Sequence, residues 1–162
     1  MSTGPGISHI RISKLLEEEL ESSNQLKQIL SAEQKAITGH DIPAFEEIIN
    51  KKRLILERLA QQEKARVFLL NSNGIKNGPE GMNDCINRCD DNGSLSDLWQ
   101  RLLSIAADCR DHNRQNHQLV ELFSAHTRKA LCVLRGEPMD QNVYGPDGDK
   151  SDPHRNRSLA IA

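Results

Sequence analysis

An all-α fold, a bundle of three long helices with a fourth short one between the second and third, is what this 162-residue sequence predicts. Three observations carry that reading. Aromatic residues are 3% of the chain, while Leu and Ile recur throughout; sheets favour aromatic and β-branched side chains. The six prolines stand at positions 5, 43, 79, 138, 146 and 153, which leaves three long windows free of the residue that breaks helix interiors. From Leu95 to Leu134 the inward positions recur at alternating steps of four and three, the 3.5-residue repeat of a coiled-coil-like seam. A hydrophobic content of 36% suits narrow apolar faces. The expected architecture is an elongated, left-handed antiparallel bundle over residues 1–136, followed by a disordered, mobile polar tail over 137–162.

The first helix is expected from Ser8 to Thr38, with Ile12, Leu15, Leu16, Leu26, Ile29, Leu30, Ala36 and Ile37 in pairs separated by polar turns, and Gly39 as its stop. Asp41 reads as the cap of the second helix and Pro43 sits in its first turn. That helix extends to about Leu70, with an apolar face of Ile42, Phe45, Ile48, Ile49, Ile55, Leu56, Leu59, Val67 and Leu70. So short a connection makes the two helices antiparallel neighbours. Residues 71–94 are rich in Asn, Gly and Asp and read as a loop, with a short helix near Met82–Arg88. Ser94 and Asp97 have the spacing of a capping box. The last helix, Leu95 to Arg135, is roughly 60 Å long at 1.5 Å per residue. Its seam is Leu95, Trp99, Leu102, Ala106, Cys109, Asn113, Asn116, Val120, Phe123, Thr127, Ala130 and Leu134, and Gly136 ends it.

Charged residues are 27% of the chain and the net charge is −2. No basic stripe stands out, which argues against nucleic acid. No run is apolar enough to span a membrane, and residues 1–6 lack the apolar core of a signal peptide. The expected location is cytoplasmic, where Cys85, Cys89, Cys109 and Cys132 are free thiols. No phosphate loop or nucleophile elbow occurs, so no catalytic residue, cofactor or metal is assigned. His112, His117 and His126 do not share a helical ligand spacing and read as solvated, as does the acidic run Glu17, Glu18, Glu19, Glu21.

Three features point instead to binding. Asn113 and Asn116 interrupt the seam, either as a polar layer that sets register, the preferred reading, or as an adaptable partner contact, with Lys52 and either Glu19 or Glu33 placed to satisfy the amides. The second half of the last helix is apolar over more than one face, and Leu119, Val120, Phe123, Leu131 and Leu134 are its candidate contacts for an amphipathic partner helix; closure of the bundle end or a homodimer would use the same residues. Tyr144, the only tyrosine, stands in Tyr144-Gly145-Pro146-Asp147-Gly148, a turn in a polar tail with little for a ring to pack on. It is a candidate contact for another molecule. A self-associating coiled-coil scaffold, or a small metal-binding bundle using Cys109, His112 and the loop cysteines, are the alternatives from other classes.

The order of these pieces resembles the FlgN-type flagellar export chaperones. The resemblance runs through Asp41-Ile42-Pro43-Ala44 with Lys52, Leu54, Leu56 and Leu59; Arg66 with Leu69-Leu70; Leu98-Trp99 through Arg110, Asn113 and Asn116; Leu131 to Gly136; and Tyr144 to Gly148. It implies a protein without enzymatic activity, a monomer or weak dimer, that holds the C-terminal amphipathic segment of hook–filament junction proteins. Such a chaperone delivers them to the flagellar type III export apparatus. The C-terminal part of the chaperone would bind the client, and Tyr144 matches the tail tyrosine that docks on the export gate.

Overall fold

A computed structural model describes residues 9–90 and 92–136; the leader, and the tail with Tyr144, lie outside the described residues. The order is α1 (His9–Thr38), α2 (Ile42–Ser72), α3 (Pro79–Cys89) and α4 (Ser94–Arg135). No strand occurs among the described residues, and the fold is the all-α helical bundle that the sequence predicts. None of the described helices is long and apolar enough to cross a membrane. The chain divides into two compact units, Met1–Leu122 and Phe123–Ala162, with the boundary inside α4.

In the first unit α1 is the central helix. Side chains of α2 meet it in reverse order: Lys52 pairs with Glu33, Arg58 reaches Gln25 and Arg66 pairs with Glu19, so the two helices are antiparallel. Contacts from α4 advance together with α1: His9 with Ser94, Lys27 with Asp108, Ser23 with Cys109 and Leu30 with Asn116. These two helices are therefore parallel. The tightest packing lies where α1 and α4 begin and α2 ends, around Ile12, Leu16, Leu70, Ile75, Met82, Cys85 and Leu95, all buried. The short α3 closes that end. A Cβ at Gly81 would fall 1.6 Å from the Lys76 carbonyl oxygen, so only glycine lets α3 lie this close to the preceding loop.

Local chemistry sets the helix ends, partly by other residues than expected. Asp41 caps α2 as predicted, its Oδ1 accepting the Ala44 amide at 3.0 Å. At the end of α1 the left-handed residue is His40 (φ 53°) rather than Gly39. The Asp41 amide reaches back to Ala36 and the His40 amide to Ile37, the paired bonds of a Schellman motif. At the start of α4 the Ser94–Asp97 box does not form. Asp90 caps the helix instead, accepting the Leu95 and Ser96 amides at 3.2 and 2.9 Å, because the turn after α3 returns its carboxylate beneath those orphan donors. Ser94 is left to bond His9. Gly136, with φ 67°, ends α4 as expected.

The expected apolar faces hold in part. In α4 the seam is buried at Leu95, Trp99, Leu102, Cys109 and Asn116, yet Asn113, Val120, Thr127, Ala130 and Leu134 are exposed. In α2 only Ile55, Leu69 and Leu70 are fully buried, whereas Ile42, Ile49 and Leu56 face solvent. Within the first unit α2 packs closely on α1, and an open groove separates Leu56 from the first half of α4.

Candidate functional site

Two polar clusters join α2 to α4. In the first, Lys52 Nζ donates to both Glu33 carboxylate oxygens at 2.9 and 3.0 Å and to Asn113 Oδ1 at 2.7 Å. Asn116, nearly inaccessible, donates to Glu33 Oε2 at 2.8 Å and to the Leu30 carbonyl at 2.9 Å. The predicted polar layer thus exists, with Glu33 rather than Glu19 at its centre. A buried carboxylate is tolerated when it is paired and hydrogen-bonded, and here three donations come to Glu33 from two other helices.

In the second cluster, Arg66 Nε donates to Glu19 Oε1 at 2.7 Å while its guanidinium lies 5.2 Å from the centroid of the Trp99 ring. That is the geometry of a cation–π contact. Glu19 is not part of a solvated face, as its acidic neighbours suggested; it is buried. Burial pushes its carboxyl up from the ordinary 4.5, and the bond and charge of Arg66 pull it back only in part.

Between the two clusters α2 and α4 leave an open apolar groove of about 560 Å³. Leu26 and Leu30 of α1 lie along it, Leu56 and Leu59 line it from α2, and Leu102 and Leu103 from α4. Leu56 is 46% exposed and Leu103 42%, high values for leucines in the middle of long helices. Sequence reasoning placed Leu56 on a buried face and left Leu103 unmentioned. The available signal was that α2 carries more apolar positions than one helix neighbour can cover.

The residues predicted to receive a partner lie along the second half of α4. In the first unit Leu119 is half-buried and Val120 exposed. In the second, Phe123 is half-buried, Leu131 is 46% exposed and Leu134 82%. At 3.6 residues per turn, Phe123, Leu131 and Leu134 fall within an arc of about 80° on one side of the helix. Leu122 and Val133 are exposed as well. Exposed apolar side chains thus recur along this helix half at Val120, Leu122, Leu131, Val133 and Leu134.

The residues named for a metal site are not brought together. Cys85 and Cys89 lie one turn apart on α3, their sulfurs 3.7 Å apart, while Cys109 bonds the Ser23 carbonyl on α1. No group of three His, Cys, Asp or Glu fit to hold a metal ion occurs among the described residues. His112 is not the solvated residue that was expected: its Nδ1 is buried with no hydrogen-bond partner. His117 is exposed and stands 3.3 Å from Glu121.

Known proteins resemble this chain in sequence and in fold. The family model described as FlgN protein matches residues 8–152. The flagella synthesis protein FlgN of Yersinia enterocolitica serotype O:8 is 26% identical over 140 residues, covering 85% of this chain and 88% of that one. That of Salmonella typhimurium is 26% identical over 147 residues, covering 90% and 94%. A crystal structure of a candidate flagella synthesis protein FlgN from Pseudomonas aeruginosa superposes with a TM-score of 0.63 at 20% identity, covering 78% of this chain and 95% of that one, and shows the same fold. With nearly the whole chain inside the family match, this protein belongs to the FlgN family.

Proposed function

We propose that this chain is an export chaperone. It binds the C-terminal amphipathic segment of hook–filament junction proteins in the cytoplasm and delivers them to the flagellar type III export apparatus. The observation that carries the reading is the apolar surface on the second half of α4, in a chain that belongs to the FlgN family. A helix that exposes leucine at successive turns gains by covering that face with a second amphipathic helix. Leu119, Val120, Phe123, Leu131 and Leu134 are the client-binding residues in this proposal. Burying one Leu or Phe is worth roughly 1.5–3 kcal/mol.

The test is calorimetric titration of the purified chain with the C-terminal segment of a junction protein from the same cell. Phe123→Ala and Leu131→Ala are expected to weaken binding at least tenfold with helicity unchanged. Unchanged affinity in either folded variant would move the client elsewhere. The mass of the purified chain in solution separates this reading from a self-associating scaffold.

A further inference from the structure

The groove between α2 and α4 is separate from the second half of α4, and its form indicates what fits it. Its two ends are polar posts. Lys52 meets Asn113 at one end, and Arg66 lies against Trp99 at the other. Lys52 and Arg66 are fourteen positions apart on α2, and Trp99 and Asn113 are fourteen apart on α4. The posts are therefore about 21 Å apart along the helix axes, the length of roughly four helical turns. Between them the lining is apolar, with Leu56, Leu59, Leu102 and Leu103 facing the opening over Leu26 and Leu30.

Charge adds direction. The posts are satisfied internally: Glu33 neutralises Lys52 and Glu19 neutralises Arg66. The two other charged residues of the lining are Glu63 on α2 and Arg110 on α4, both exposed. Glu63 is one turn inside the Arg66 post and Arg110 one turn inside the Asn113 post. They have opposite sign, stand on opposite walls and are separated along the groove by roughly 12 Å, about eight residues of a helix.

We propose that this groove docks an amphipathic helix of about four turns from a partner protein. The partner's apolar stripe inserts between α2 and α4, with a cationic side chain against Glu63 and an anionic one against Arg110 on the two flanks of that stripe. An occupant of this kind uses leucine-sized anchors at every third or fourth position. It covers Leu56 and Leu103 without disturbing either post. The proposal is independent of the client surface on α4, and its test uses different residues.

Trp99, the only tryptophan, lines the groove, so its fluorescence reports occupancy in the full chain. The probe is an acetylated, amidated, alanine-rich peptide of about sixteen residues, with leucines every three to four positions and one lysine and one glutamate about eight positions apart on the two flanks. A saturable change in Trp99 emission is expected. Leu103→Glu, at a solvent-facing position, should weaken binding at least tenfold with helicity retained. Wild-type protein should prefer the mixed-charge peptide several-fold over versions carrying two lysines or two glutamates, and Arg110→Glu should switch the preference to the two-lysine version. The proposal is overturned by the absence of a saturable response, by unchanged binding to folded Leu103→Glu, or by indifference to peptide charge. An emission change that follows protein concentration alone, without peptide, would assign the groove to a second copy of the chain and overturn it equally.

Discussion

Lys52 and Glu33 form an ion pair across α2 and α1, and the same ammonium bonds Asn113 of α4, so one side chain ties three helices together. Glu33 is almost wholly buried and Lys52 largely so. Removing one member of such a pair leaves an unpaired buried charge, whereas replacing all members with apolar groups does not. Lys52→Met is therefore expected to lower stability by about 1–3 kcal/mol, read as a lower denaturation midpoint in urea. The triple variant Glu33→Leu, Lys52→Met, Asn116→Leu should recover most of that loss. An unchanged midpoint for Lys52→Met would mean that solvent replaces the ammonium at no cost.

Glu19 gives a pH prediction. Its carboxyl is raised from 4.5, by burial first, with Arg66 opposing. A group whose folded value is raised contributes stability that is present below its unfolded value and lost as pH rises through the folded one. Arg66→Met removes the opposing bond and charge, so the folded value rises further. The variant should lose stability more steeply than wild type from about pH 4.5 upward. Adding Glu19→Gln should abolish the extra slope. Parallel pH profiles for Arg66→Met and wild type would show that Arg66 does not control this carboxyl.

Cys85 and Cys132 should differ sharply in reactivity. Burial in the core, and then the neighbouring Cys89, push the Cys85 thiol up to about 12, and its side chain is inaccessible. Thiolate is the reactive form. Cys132 is only partly covered. Iodoacetamide at neutral to mildly alkaline pH should modify Cys132 in the folded protein at least ten times faster than Cys85, as read by peptide mass spectrometry. Guanidinium should remove the difference. Equal rates under native conditions would require opening of the α3 end of the core.

Tyr144 lies outside the described residues and carries a separate prediction. Tyrosine is a favoured interface anchor because it presents large area at low entropic cost. If Tyr144 docks on the export gate while α4 holds the client, Tyr144→Ala keeps client affinity within about twofold and reduces gate binding at least tenfold, the cost of a hot-spot side chain. Loss of client affinity on Tyr144→Ala would place both functions on one surface.

The sequence by itself determined the helices and most of their ends. Proline positions, the Asp41 cap and Gly136 act within a few residues, so they are legible without tertiary information. The polar layer was legible in part: seam positions offered Lys52 with either Glu19 or Glu33 to the amides, and the packing of α1 chose Glu33. The exposed leucines of the second half of α4 stood out because one helix face cannot bury residues on several sides.

Tertiary structure decided the rest. Periodicity states which positions share a face, not whether a neighbour covers that face. Leu56 therefore reads as core in the sequence and is half open in the fold, and Leu103 reads as nothing and lines a groove. Glu19 sits in an acidic run that local chemistry would leave in water; only the antiparallel pairing of α1 and α2 brings Arg66 to it. Asp90 displaced the expected cap of α4 because the path of the chain after α3, not the spacing of Ser94 and Asp97, places a carboxylate beneath the first free amides. In each case a long-range placement, set by how far α2 stands from α4 or by where α3 turns the chain, overrode a correct local pattern.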